Sequence, residues 1–221
     1  EHGGFIFAMG LDKYMYVIVN RPTVGSKIRL HYSQSEVVDH VGDLRHELAR
    51  EALRAQGIER AFEVGSIADL PAGTGLGSSS CYLVGLLNAL HHDRRDYVPL
   101  QSLAEEACHI ELEILKQPIG KQDQYMAAFG GLTVLEIAKD GTVAVKQLRP
   151  SSSDISEFVA HTHQPTGPLR ANDVESLAAV HERVSVCVGA HVRRAEILRE
   201  DRVDVAGVDP RQHAPGARIG P

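Results

Sequence analysis

The sequence predicts an α/β fold in two layers (α+β), one of sheet and one of helix. Three observations carry that prediction. Strand-like runs alternate with helical patterns through the first 148 residues. A turn rich in glycine and serine, Leu70–Ser80, feeds directly into the apolar run Tyr82–Leu90. Near the end of the patterned region, Lys139-Asp140-Gly141 separates two short β-prone segments, which is a hairpin signal.

Phe5–Phe7 and Tyr14–Val19 read as strands joined by a turn through Gly10-Leu11-Asp12. Ile28, Leu30 and Tyr32 alternate with Arg29 and His31, the pattern of a half-exposed strand. Asp43–Gln56 reads as a helix with Leu44, Leu48 and Ala52 on one face and Gly57 as its stop. Phe62–Ile67 is a short strand that leads into the glycine turn, and the apolar run beyond the turn is a buried helix. His91–Asp96 reads as a polar connection with surface histidines. Pro99–Lys116 is helical, with Leu103, Ala107, Ile110 and Ile114 at helical spacing, and Pro118 and Gly120 end it. A further helix begins near Gln122 and stops at Gly130-Gly131. Leu132–Ile137 and Thr142–Val145 are the strands of the hairpin. Beyond Pro150 the pattern predicts a strand at Phe158–Thr162, a helix at Val174–Leu198 and irregular chain from residue 200. The expected organisation is a domain over 1–148, part of a second over 149–199 and a tail over 200–221.

Composition narrows the function. A formal net charge of −6 argues against a nucleic-acid partner, which calls for a basic face. No apolar stretch reaches membrane-spanning length, so no membrane partner is expected. The chain opens with no secretory pattern, which makes the cytoplasm the expected location. Cys81, Cys108 and Cys187 are scattered and odd in number, and read as reduced thiols, the first two in the core.

The chemistry gathers around the glycine turn. Glycine lets backbone approach a ligand closely, and a helix start presents unpaired N–H groups at the positive end of its dipole. Together these favour an anion such as phosphate. A P-loop needs a lysine that Gly77-Ser78-Ser79 lacks, and Ser78 or Ser80 stands where a dinucleotide fingerprint needs its third glycine. The nucleophile elbow is absent too. Composition alone leaves an anion loop or a flexible, serine-capped turn. Glu111, at the edge of an apolar stripe, reads as a rim charge or a directed ligand. Asp123, at a helix start, reads as an acid that complements the dipole or as a functional carboxylate. His91-His92 and His161-Thr162-His163 lack partners at zinc spacing.

Pro71 and Gly75-Leu76-Gly77-Ser78-Ser79 match every fixed position of P-x-x-x-G-L-G-S-S, the second motif of the GHMP kinases. The chain resembles that superfamily. Glu1-His2-Gly3-Gly4, Asp12-Lys13-Tyr14, Gly120-Lys121-Gln122-Asp123-Gln124 and Ala127-Ala128-Phe129-Gly130-Gly131-Leu132 are similar to its sugar-kinase branch, which contains the heptose 7-phosphate kinases. The resemblance implies a GHMP kinase-type N-terminal domain without its first strand, and an incomplete C-terminal domain without the third glycine motif. It implies ATP-dependent transfer to a sugar phosphate, heptose 7-phosphate at its anomeric hydroxyl, and it allows a homodimer. It assigns Pro71, Gly73, Gly75, Leu76, Gly77, Ser78, Ser79 and Ser80 to ATP, Ser79 and Glu111 to Mg²⁺, and Asp123 to catalysis. A second expectation from the same residues is a fragment that binds nucleotide without turnover. The sugar-kinase form of the Gly120–Gln124 segment makes a homoserine or mevalonate kinase the weaker match.

Overall fold

The computed structural model describes residues 3–70 and 75–154 and the backbone of residues 185–191. Seven strands form the sheet: β1 (Gly4–Asn20), β2 (Ile28–His31), β3 (Ser35–Val38), β4 (Phe62–Ala68), β5 (Leu132–Ile137), β6 (Val143–Leu148) and β7 (Ser185–His191). Among the described residues four α-helices accompany them: α1 (Glu47–Ala55), α2 (Ser78–Asp93), α3 (Leu100–Cys108) and α4 (Gln122–Phe129). The strand order is β3-β2-β4-β1-β5-β6, with β7 also paired to β1. The predicted α/β class is the observed one.

β1 organises the sheet. The sequence suggests two strands and a turn, but the backbone runs through as one strand of 17 residues. Its two halves have different partners. Gly4–Met9 pair antiparallel with β5, and Met15–Asn20 pair antiparallel with β4. Gly10, expected to turn the chain, instead lets two backbones meet: its N–H donates to the Gly131 carbonyl at 2.7 Å. A Cβ on Gly10 would stand 3.0 Å from the Gly131 nitrogen, closer than side-chain carbons normally come. The irregularity that does exist is a register shift against β7 between Leu11 and Tyr14.

Alternation assigns the faces of the sheet. Ile28 and Leu30 of β2 and Phe62 and Val64 of β4 are buried without solvent contact. Met15, Val17 and Val19 of β1 pack against the same core, while Tyr16 and Ile18 are exposed on the opposite face. One side of the sheet is therefore covered by helices and the other is open along this stretch, which is the two-layer arrangement.

α2 is the centre of the helical layer. Leu83, Val84, Leu86, Leu87 and Leu90 have no exposed surface. A helix that is apolar nearly all round must be packed on several sides, and α2 contacts β1, α1, α3 and α4. Each fully buried aliphatic side chain contributes roughly 1.5–3 kcal/mol of transfer free energy, so this helix anchors the fold and fixes where its N-terminus points. Cys81 and Cys108 are buried and not joined in a disulfide, as the sequence suggests.

Three expectations need correction. The first helix is shorter than its apolar pattern: a 3₁₀ turn at Val41–Asp43 precedes it, and α1 itself begins at Glu47. His46 caps α1, its ring nitrogen accepting from the Ala49 N–H at 3.3 Å. The second correction concerns His91, which is buried at the end of α2 and not a surface residue of a loop. Its Nε2 lies 2.7 Å from Glu106 of α3 and its Nδ1 3.2 Å from Asp96, which ties the two helices together. The third is the helix expected over Val174–Leu198, since residues 185–191 form β7, parallel to β1. The alternation Ser-Val-Cys-Val-Gly is β-prone, and pairing with β1 decides between the two periods. The strand expected at Phe158–Thr162, His161 and His163, and the tail over 200–221 lie outside the described residues.

Candidate active site

Three elements deliver the candidate residues to one place. The first is the end of the glycine turn. Gly75 and Gly77 both have positive φ, 72° and 71°. Gly77 is the N-cap of α2 with no side-chain cap, and its carbonyl accepts the Cys81 N–H at 2.9 Å. The first N–H groups of any α-helix lack carbonyl partners within it. Ser79 is exposed in this first turn, Ser78 is half-buried and Ser80 is buried. Leu76 is half-buried, and Gly75 is exposed. Pro71 and Gly73 lie outside the described residues.

The second element is a widened turn. The helix expected to run from Pro99 to Lys116 is α-helical only to Cys108, after which His109–Ile114 form a π-helical turn. The Leu115 N–H reaches back five residues to the Ile110 carbonyl at 2.9 Å, and the Gln117 N–H bonds to the Glu111 carbonyl at 2.9 Å. Such turns occur often at functional sites, because the extra residue re-aims the side chains beside it. Here the turn carries Glu111. Its side chain has no exposed surface, so the rim reading of this carboxylate does not hold.

The third element is the start of α4, which presents Asp123 and Gln124. Asp123 is half-buried in the first turn. It stands against the glycine turn: a Cβ on Gly77 would lie 3.4 Å from Asp123 Cγ and 3.5 Å from Oδ2. Glycine at 77 is favoured by its left-handed backbone, and a Cβ added there would come into van der Waals contact with the carboxylate.

Glu111 is the hub. Ser80 Oγ donates to its Oε2 at 2.9 Å, and Gln124 Nε2 donates to the same oxygen at 2.5 Å. Oε1 of Glu111 and Oε1 of Gln124 are buried without a hydrogen-bond partner among the described residues. Burial, the largest influence, pushes the Glu111 carboxyl above its ordinary value, the bonds from Gln124 and Ser80 pull it back, and the charge of Asp123 raises it further. Burial also raises Asp123. Two carboxylates whose ionised forms burial disfavours therefore stand close enough to interact, and an oxygen of Glu111 and one of Gln124 have no partner among the described residues. All of these groups are hard oxygen donors or acceptors, and what complements them is a hard cation such as Mg²⁺. The residues present fit that ion, although the described residues contain no group of three His, Cys, Asp or Glu side chains arranged to hold a metal on their own. Magnesium typically takes one or two carboxylates and completes its shell with waters and substrate phosphates.

The structure brings together Gly77, Ser80, Glu111, Asp123 and Gln124. It pairs Glu111 with Ser80, while Ser79, the neighbour expected beside the metal, is exposed on the same turn. Ser80 was read from the sequence only as a backbone contact, and Gln124 only as part of a motif. Their polar side chains next to apolar residues, Cys81 and Tyr125, were the available signal. A Gly77→Ala substitution is expected to destabilise the fold by about 1 kcal/mol, from the left-handed backbone. The added methyl would touch Asp123, and the strained turn is also expected to lower any turnover. Thermal melting beside a turnover assay checks both effects.

A family model described as the GHMP kinases N terminal domain matches residues 43–131. A D-glycero-alpha-D-manno-heptose 7-phosphate kinase from Campylobacter jejuni is 35% identical over 102 residues, 46% of this chain and 30% of the relative. In fold, the chain is similar to a D-glycero-D-manno-heptose 1-phosphate kinase from Bacteriodes thetaiotaomicron, with a TM-score of 0.61 at 24% identity over 70% of this chain and 54% of that one. It is also similar to the mevalonate kinase of Methanococcus jannaschii, with a TM-score of 0.50 at 14% identity over 76% of this chain and 57% of that one. The chain thus spans between about a third and somewhat over half of the length of these relatives. The relatives are kinases, and the matched residues include the end of the glycine turn, Glu111 and Asp123. The segment that builds this site, within residues 43–131, is thus the part of the chain that matches the model of the GHMP kinases N terminal domain.

Proposed function

We propose that the protein is an ATP-dependent sugar kinase that phosphorylates heptose 7-phosphate at its anomeric hydroxyl. The observation that carries the reading is the seating of Asp123 against Gly77 of the glycine turn. A proton acceptor for a hydroxyl and an anion-binding backbone are then neighbours, as transfer of a phosphoryl group to an alcohol requires. The similarity to a heptose 7-phosphate kinase supports the choice of sugar.

In this reading the N–H groups of residues 73–80 hold the phosphates of ATP, with Pro71 and Leu76 shaping the turn. Asp123 orients the attacking hydroxyl and accepts its proton as the new O–P bond forms and the bond to ADP breaks. Its raised proton affinity suits that role better than an ordinary aspartate's would. Glu111 and Ser79 are the side chains that would hold Mg²⁺, which when bound neutralises charge on the phosphates. With no P-loop lysine, the turn depends on the start of α2 for much of its attraction to phosphate. A cytoplasmic home and a homodimer belong to the same proposal. Among the described residues no helix is long and apolar enough to cross a membrane.

A thermal-shift titration with MgATP, run beside a coupled assay for ADP release, tests the proposal. We expect stabilisation by MgATP, and ADP release that depends on heptose 7-phosphate. Stabilisation without turnover on any sugar phosphate would identify a nucleotide-binding fragment instead. No response to MgATP in either assay would reject the kinase reading.

A further inference from the structure

We propose that Ser80 and Gln124 are positioning residues that present one oxygen of Glu111 to a divalent cation; the inference rests on the kinase reading above. Both donors end on the same atom. Ser80 Oγ donates to Glu111 Oε2 at 2.9 Å from the first turn of α2, and Gln124 Nε2 donates to Oε2 at 2.5 Å from the first turn of α4. The other oxygen, Oε1, is buried and unpartnered among the described residues. A carboxylate with four acceptor sites is here held by one end only, by two donors from two different helices.

The burial of the donors makes the arrangement informative. Ser80 is 1% exposed and Gln124 is 0% exposed. A buried polar side chain loses its hydration, and the loss is offset only by good hydrogen bonds. If these two served the fold alone, apolar residues could fill their places as buried side chains do at the positions that follow, Cys81, Tyr125 and Met126. Both instead supply N–H or O–H groups to one anion. Donors behind a ligating side chain fix its orientation. The geometry also assigns the amide of Gln124 its direction. Nε2 faces Glu111, so its Oε1, likewise unpartnered, faces away from that carboxylate oxygen.

The test is Mn²⁺ binding followed by electron paramagnetic resonance of the free ion, with the full chain and with ATP or ADP present. The variants are Ser80→Ala, Gln124→Met and Ser80→Thr, with Glu111→Gln as the reference for loss of the ligand itself. We expect Ser80→Ala and Gln124→Met each to weaken Mn²⁺–nucleotide binding by about 10-fold or more. Ser80→Thr, which keeps the hydroxyl, should stay near wild type. Circular dichroism and thermal melting show which variants fold, and Gln124→Met, close in volume to glutamine, decides the matter should Ser80→Ala not fold. Wild-type affinity in both Ser80→Ala and Gln124→Met, with loss in Glu111→Gln, would overturn the positioning role and leave the kinase reading standing. A wild-type chain that takes up no Mn²⁺ with either nucleotide would overturn both.

Discussion

Asp123→Asn is expected to remove phosphoryl transfer while leaving the fold intact, and to raise the melting temperature at neutral pH. Loss of a general base or hydroxyl-orienting group costs about 10²–10⁴-fold in turnover. The gain in stability follows from linkage. Burial raises the Asp123 carboxyl above its ordinary value in the folded protein. The folded chain therefore holds this proton more tightly than the unfolded chain does. Stability falls as pH rises from the ordinary carboxylate range through the folded value, and the whole loss persists above it. Asparagine carries no charge to desolvate, so the variant escapes that loss. Melting temperatures of wild type and Asp123→Asn should converge at acidic pH and separate with the variant higher as pH rises. A variant with retained turnover would remove Asp123 from catalysis, and a variant less stable at neutral pH would show that its carboxylate contributes to the fold.

The second large effect is expected in α2. Leu86→Ala should destabilise the protein by roughly 2–5 kcal/mol, the range for a buried leucine whose cavity cannot collapse. In a chain of this size that corresponds to a drop in melting temperature of about 10 °C. Leu86 has no exposed surface and sits among residues of the sheet and the other helices. Leu100→Ala is the contrast, since Leu100 is 46% exposed at the start of α3 and its loss should stay within about 0.5 kcal/mol. Differential scanning calorimetry on the two variants measures the difference. Equal effects would mean that α2 is not the packed centre of the helical layer. At temperatures where Leu86→Ala remains folded it should still bind nucleotide, because the substitution lies two turns beyond the glycine turn.

Much of this was legible in the sequence, and the limits have physical causes. The glycine turn and the helix after it were readable because glycine spacing and an unbroken apolar run leave few alternatives. The hairpin of β5 and β6 was readable from Asp140-Gly141, which takes a positive φ at Gly141. β1 was read as two strands because Gly10 and Asp12 look like turn residues, but pairing with β4, β5 and β7 overrides local preference. The helix read over Val174–Leu198 failed at residues 185–191 for the same reason: valines suit either period, and a partner strand decides. Glu111 could not be placed from periodicity. A π-helical turn shifts the phase of the helix beneath it, so a residue counted to the edge of the stripe ends inside the core. The hydrogen bonds from Ser80 and Gln124 join side chains 31 and 13 residues away from Glu111, a relation no local pattern carries.

The most direct test of the kinase centre is transfer of the terminal phosphate itself. Purified chain is incubated with γ-labelled ATP, Mg²⁺ and heptose 7-phosphate, and the product is examined by phosphorus NMR and by label. Label on a second phosphate at the anomeric carbon is expected, with the same experiment blank for Asp123→Asn. Label released only as inorganic phosphate, or an unlabelled sugar with ATP intact, would contradict it.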